Sequence, residues 1–143
     1  MIYIAVTFLV CVSVIFAGVH ANAINEGRGR KLKKWAWAAL YFGFAAILSW
    51  ASVIGTDKNF NWLLMADSFC IRVVFFNIPL NRMRKPPVAW FYVTPELKNV
   101  TGFGDAFRKK RFFDYLALRV FKKDQWILYV GCFAASIAIT ILL

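Results

Sequence analysis

The chain has 143 residues, of which 61% are hydrophobic and 18% aromatic, and its formal net charge is +11. That length allows one domain at most, and a soluble domain so small keeps too much surface in water to hide this apolar share. The basic excess would ordinarily suggest nucleic acid, but the basic residues adjoin long apolar runs, where they set orientation and meet anionic phospholipid headgroups.

Residues 2–19 form an uncharged apolar run, and residues 35–54 a second. Each approaches the roughly 20 residues needed to cross a hydrocarbon core of about 30 Å. Ala21-Asn22-Ala23 resembles a signal-peptidase site. No basic region precedes the first run, however, and five basic residues follow it between 28 and 34, so a retained span is expected. In the second run Ala39, Gly43 and Ala46 share one face, and small residues let lipid-embedded helices approach closely.

Residues 60–80 are apolar but contain Asp67 and Arg72. A charge near the middle of a span costs at least about 2.5–3.5 kcal/mol on insertion scales. Charge placement decides how this segment lies. If it crosses, the five basic residues of 28–34 and the eleven of 82–123 share one side, leaving only Lys58 opposite. The positive-inside rule favours that arrangement. Asn61, Met65, Ser68 and Arg72 then fall within one helical stripe, with Asp67 about 140° from Arg72. Asp67, Arg72, Ser68 and Asn61 are expected to form an intramembrane polar contact within the bundle or with a partner.

His20 and Asn25 at the end of the first span, and Asn77, Asn81 and Arg82 at the end of the third, share a leaflet by parity. Together with Arg108, Lys109, Lys110 and Arg111 they are candidate donors to lipid headgroups. Between 82 and 123, Pro86-Pro87 stops the third helix, residues 88–93 are too short to cross, and Asp105 can cap an interfacial amphipathic helix reaching about Lys123. Residues 126–143 form the last span, with Gly131, Ala135 and Ala138 on one face. Trp35, Trp37, Trp90, Tyr92 and Trp126 fall at one expected interface and Trp50 and Trp62 at the other, as aromatic belts require.

The expected fold class is all-α: an integral membrane protein of four transmembrane helices plus an interfacial helix. Both termini lie away from the cytosol of a bacterial inner membrane, or from the matrix of a mitochondrial one. Cys11, Cys70 and Cys132 are scattered one to a run and His20 is the sole histidine, so no metal site or cofactor is expected. No triad or phosphate-loop motif points to an enzyme. The reading that follows is a small non-catalytic accessory or assembly subunit of a larger membrane complex. Its expected partners are anionic phospholipids and other membrane subunits or further copies of itself, not nucleic acid. Two alternatives stay open: a self-assembling pore former, similar to phage holins in size and basic loops, and a lipid-headgroup-binding enzyme or transporter using Arg72 and the His20/Asn77 cluster.

Overall fold

The computed structural model describes residues 2–28, 34–57, 59–87, 115, 119, 121 and 124–143. They form four helices: α1 spans Ile2–Asn25, α2 Lys34–Ala51, α3 Trp62–Met83 and α4 Trp126–Leu142. The all-α class follows the sequence reading. Helices α1 and α3 are long and apolar enough to cross a membrane, whereas α2 and α4 are shorter apolar helices. The expected interfacial helix, the 88–93 segment and Arg108, Lys109, Lys110 and Arg111 lie outside the described residues.

Helix α1 runs six residues past the expected end at 19, because nothing in His20–Asn25 breaks a helix. It stops where Gly27 adopts φ 72°. There the Gly27 amide donates to the Ile24 carbonyl and the Arg28 amide to the Ala23 carbonyl, closing a Schellman turn. The Ala21-Asn22-Ala23 tripeptide is therefore helical. Helix α2 ends before 54 because Ser52 Oγ donates to the Ser49 carbonyl and the amides of Val53 and Ile54 bond three residues back, tightening the chain into a turn. Asn61 caps α3, its Oδ1 accepting from the Leu64 amide at 3.1 Å. Helix α3 carries Pro79 internally and continues to Met83. It ends at Arg84, just before Lys85, a residue whose helical conformation is disfavoured by Pro86.

Neighbouring helices alternate in direction. Phe8 of α1 meets Phe44 of α2 with ring centroids 5.7 Å apart, and Phe16 meets Trp37 at 4.8 Å. Helix α3 runs parallel to α1: Asn25 Nδ2 donates to the Met83 carbonyl at 3.0 Å, and the Lys85 amide donates to Asn25 Oδ1 at 2.8 Å. Helix α4 runs against α3, since Asp67 near the start of α3 meets Ser136 and Thr140 in the second half of α4. Helix α3 touches all three others, α1 most extensively.

The buried stripe of α1 (Ala5, Leu9, Val12, Ser13, Phe16, Ala17, His20 and Ala21) repeats every three or four residues, as one helix face does. Its small members Ala5, Ser13, Ala17 and Ala21 are buried, unlike the faces named from the sequence. Ala39, Gly43, Gly131 and Ala138 are exposed, and Ala46 and Ala135 only half-buried. A Cβ added to Gly43 or Gly131 would meet nothing within 4 Å. The internal packing expected of those two faces is thus corrected: they lie mostly on the outside of the bundle.

The bundle is apolar outside, and its largely apolar core of Leu9, Val12, Phe16, Leu64 and Ile71 also encloses polar side chains. Ser13, His20, Ser49, Asp67, Ser68, Asn81 and Ser136 are buried. Ile4, Ile15, Ile47, Trp50, Trp62, Val130, Phe133 and Ile137 are exposed.

Candidate functional site

The polar interior is organised by α3, which sends successive side chains to different neighbours. Asp67, fully buried, points to α4: Ser136 Oγ donates to its Oδ1 at 2.5 Å and Thr140 Oγ1 donates to its Oδ2 at 3.1 Å. Ser136 and Thr140 are one helical turn apart, so both hydroxyls fall on the same face and grip one carboxylate. One residue on, the Ser68 carbonyl accepts from the Tyr41 hydroxyl of α2 at 2.9 Å, while Ser68 Oγ donates back to the Met65 carbonyl at 2.6 Å. Interhelical bonds of this kind average about 0.6 kcal/mol in membrane bundles and reach about 1.7. They fix helix register more than they raise stability.

Arg72 takes a third direction. Its guanidinium carbon lies 5.1 Å from the Tyr41 ring centroid and 4.6 Å from that of Phe76. Such stacking is worth about 0.5–2 kcal/mol per ring according to exposure. Its Nη1 is buried with no hydrogen-bond partner. Asp67 and Arg72 thus make no ion pair. Five residues apart on one helix, they serve different neighbours, and the single polar contact expected of Asp67, Arg72, Ser68 and Asn61 is divided: Asp67 meets α4, Ser68 and Arg72 share Tyr41 of α2, and Asn61 stands apart. Asn61 sits outside the interior altogether: it caps α3, its amide nitrogen bonds the Ser49 carbonyl, and Nδ2 donates to Ser52 Oγ at 3.3 Å.

The Phe76 ring continues the arrangement toward the basic end. Phe76 and Trp37 both lie edge-on to the His20 imidazole, at 5.1 and 5.7 Å. Nδ1 of His20 donates to the Phe16 carbonyl at 2.8 Å, which sets the proton on that nitrogen because a carbonyl can only accept. His20 is 2% exposed. It is an interior residue of the lengthened α1 and not a headgroup ligand at a helix end.

The expected headgroup cluster therefore divides. Asn25 and the end of α3 come together through the two bonds described above. Arg82 is exposed at the same end, and Asn81 is buried. Asn77 turns inward on its own helix, Nδ2 donating to the Val73 carbonyl at 2.9 Å. Just past α1, Arg28 pairs with Glu26, which also accepts from Asn22 Nδ2 at 2.9 Å. The hydrogen bond and charge of Arg28 hold the Glu26 carboxyl below the usual carboxylate range.

Tyr41, Ser136 and Thr140 belong to this network and were not singled out from the sequence. Ser136 and Thr140, as an i, i+4 polar pair in an otherwise apolar helix, carry a signal that could have been read. Tyr41, one of many aromatics, carries none. Among the described residues no group of three His, Cys, Asp or Glu side chains could hold a metal ion. Comparison with protein-family models, with curated proteins and with solved structures gives no match.

Proposed function

We propose that the chain is a four-span integral membrane protein, with its basic loops on the cytosolic or matrix side, acting as a non-catalytic accessory or assembly subunit of a larger membrane complex. The observation that carries this reading is the apolar exterior of the bundle, around a core that nonetheless holds ionisable and polar side chains. Exposed isoleucines, phenylalanines and tryptophans lie on all sides of a core that contains an aspartate, a histidine and four serines. In water an exterior of that kind would aggregate, whereas in lipid it is the ordinary solvent-facing surface.

Packing argues for four crossings. Helices α2 and α4 lie antiparallel along the two longer helices, so they share whatever depth those occupy. With 18 and 17 residues they sit within the range of about 17–25 that a crossing requires. Small mismatches in length are taken up by tilt or local thinning of the bilayer. The subunit role is supported by the outward Ala39–Gly43 and Gly131–Ala138 faces, where another helix can approach closely. Asp67 with Ser136 and Thr140, and Tyr41 with the Ser68 carbonyl, join helix to helix, consistent with a scaffold.

Two measurements test the proposal. Impermeant thiol reagents applied to single-cysteine variants at Lys33, Lys110 and Asp57 should label the first two from one side and the third from the other. Extraction in mild detergent should yield the chain within a heteromeric complex. Recovery solely as a lone monomer overturns the subunit role.

A further inference from the structure

Arg72 stands at the centre of α3, the eleventh of its 22 residues. At 1.5 Å per residue it is about 15 Å from either helix end. The Tyr41 and Phe76 rings fix where the cation sits, but a ring face does not satisfy the N–H donors that radiate in the guanidinium plane. No hydrogen bond among the described residues reaches this side chain, and Nη1 is buried without one. Arg72 as a whole is only half-buried, so part of it reaches the outside of the bundle.

The described carboxylates are committed or remote. Asp67 is fully covered, and Ser136 and Thr140 occupy its two oxygens. Glu26 pairs with Arg28, and Asp57 and Asp124 lie outside the four helices. A second copy of this chain meets the same obstacle: its only described carboxylate at the right depth is its own enclosed Asp67. What complements the planar guanidinium of a half-buried arginine at that depth is a carboxylate, which accepts two parallel N–H bonds.

We infer that Arg72 is the docking cation for a partner protein's transmembrane helix that carries an aspartate or glutamate near its midpoint. This inference rests on the membrane-subunit reading and names the chemistry of the partner. An intramembrane charge is tolerated when it faces protein and is paired there, and a helix of opposite charge supplies both conditions.

The test reconstitutes the full chain in phosphatidylcholine vesicles with a synthetic 20-residue leucine-alanine transmembrane peptide bearing one central glutamate. Association is read by energy transfer between labels, against the same peptide with glutamine. The expected result is at least tenfold tighter association of the glutamate peptide, with the preference abolished in Arg72→Gln and reduced in Arg72→Lys, which keeps the charge but loses the planar fork. Equal binding of the two peptides to the wild-type chain overturns the inference, as does an undiminished preference in Arg72→Gln. If Arg72→Gln does not fold, the comparison of the two peptides on the wild-type chain decides alone. A native complex that survives intact in Arg72→Gln, together with a failed peptide test, removes the inference and leaves the subunit role standing. A wild-type chain found only as a monomer removes the subunit role.

Discussion

Asp67 of α3 and Ser136 of α4 meet across the bundle, Ser136 Oγ donating to Asp67 Oδ1 at 2.5 Å. With Thr140 on the other oxygen, this is the polar link that fixes the antiparallel register of α4 on α3. Ser136→Ala is expected to destabilise the bundle by about 1 kcal/mol. The Ser136→Ala/Thr140→Ala double variant leaves an enclosed carboxylate without donors and should lose about 1–3 kcal/mol. Reversible unfolding in mixed micelles measures both. A double variant as stable as the wild type would remove Asp67 as the anchor of α4.

Tyr41 has two separable roles. Tyr41→Phe removes the donor to the Ser68 carbonyl and keeps the ring beneath Arg72, and should cost about 1 kcal/mol. Tyr41→Leu removes the ring as well and should cost a further 0.5–2 kcal/mol, roughly the worth of the stacked cation. The same unfolding titration distinguishes them, and equal losses would mean that the ring contributes nothing to holding Arg72.

Gly43 faces outward, where an added Cβ meets no atom. Gly43→Ala should leave the isolated chain folded and stabilise it by up to about 1 kcal/mol through helix propensity. Gly43→Leu should also fold, but should weaken assembly if this face receives another helix. Native-gel migration of the complex, beside the unfolding midpoint of the purified chain, reads the two effects independently.

At the end of α1 the hydrogen bond and charge of Arg28 hold the folded carboxyl of Glu26 below the usual carboxylate range. For a group depressed in this way, the favourable contribution is present above the unfolded value and fades as pH falls through the folded one. Carbon-13 NMR of the Glu26 carboxyl should therefore give a midpoint below the usual carboxylate range in the wild type, rising toward that range in Arg28→Ala. The pair is fully solvent-exposed, so unfolding midpoints should not move.

The thiols of Cys70 on α3 and Cys132 on α4 are neighbours across the seam that Asp67 anchors. In a Cys11→Ala background, a short membrane-permeant thiol crosslinker should join the two within one chain. Cleavage of the connection between 87 and 124 would then leave the fragments covalently linked. Fragments that separate would disprove the antiparallel register.

How far the sequence could be read depended on which physical signal each feature leaves. Long apolar runs, three of them uncharged, announced the four helices, and the relation of α1 to α3, met here in the Asn25 bonds to Met83 and Lys85, followed from the parity of the runs. Helix ends were harder. His20 was assigned to an interface because the apolar run stops at 19, whereas the helix ends only at a left-handed glycine several residues on. The small-residue faces misled because spacing places residues on one side of a helix without saying which side faces in. Ala39 and Gly43 share a face, but that face points outward. Asp67 and Arg72 were recognisable as interior polar groups, but the neighbour each would find depends on how the helices pack, which no local pattern records.

Small buried residues set among leucine and valine, inside an exposed apolar surface, extend the usual rule of substitution. Exchanges such as Ile137→Val or Ile4→Leu alter exposed groups, so the exterior is free to drift among apolar residues over time. Ser13 and Ala17, the inconspicuous residues of α1, have no such latitude. A methyl or two added there has nowhere to go, so these small positions resist change as firmly as the large buried ones.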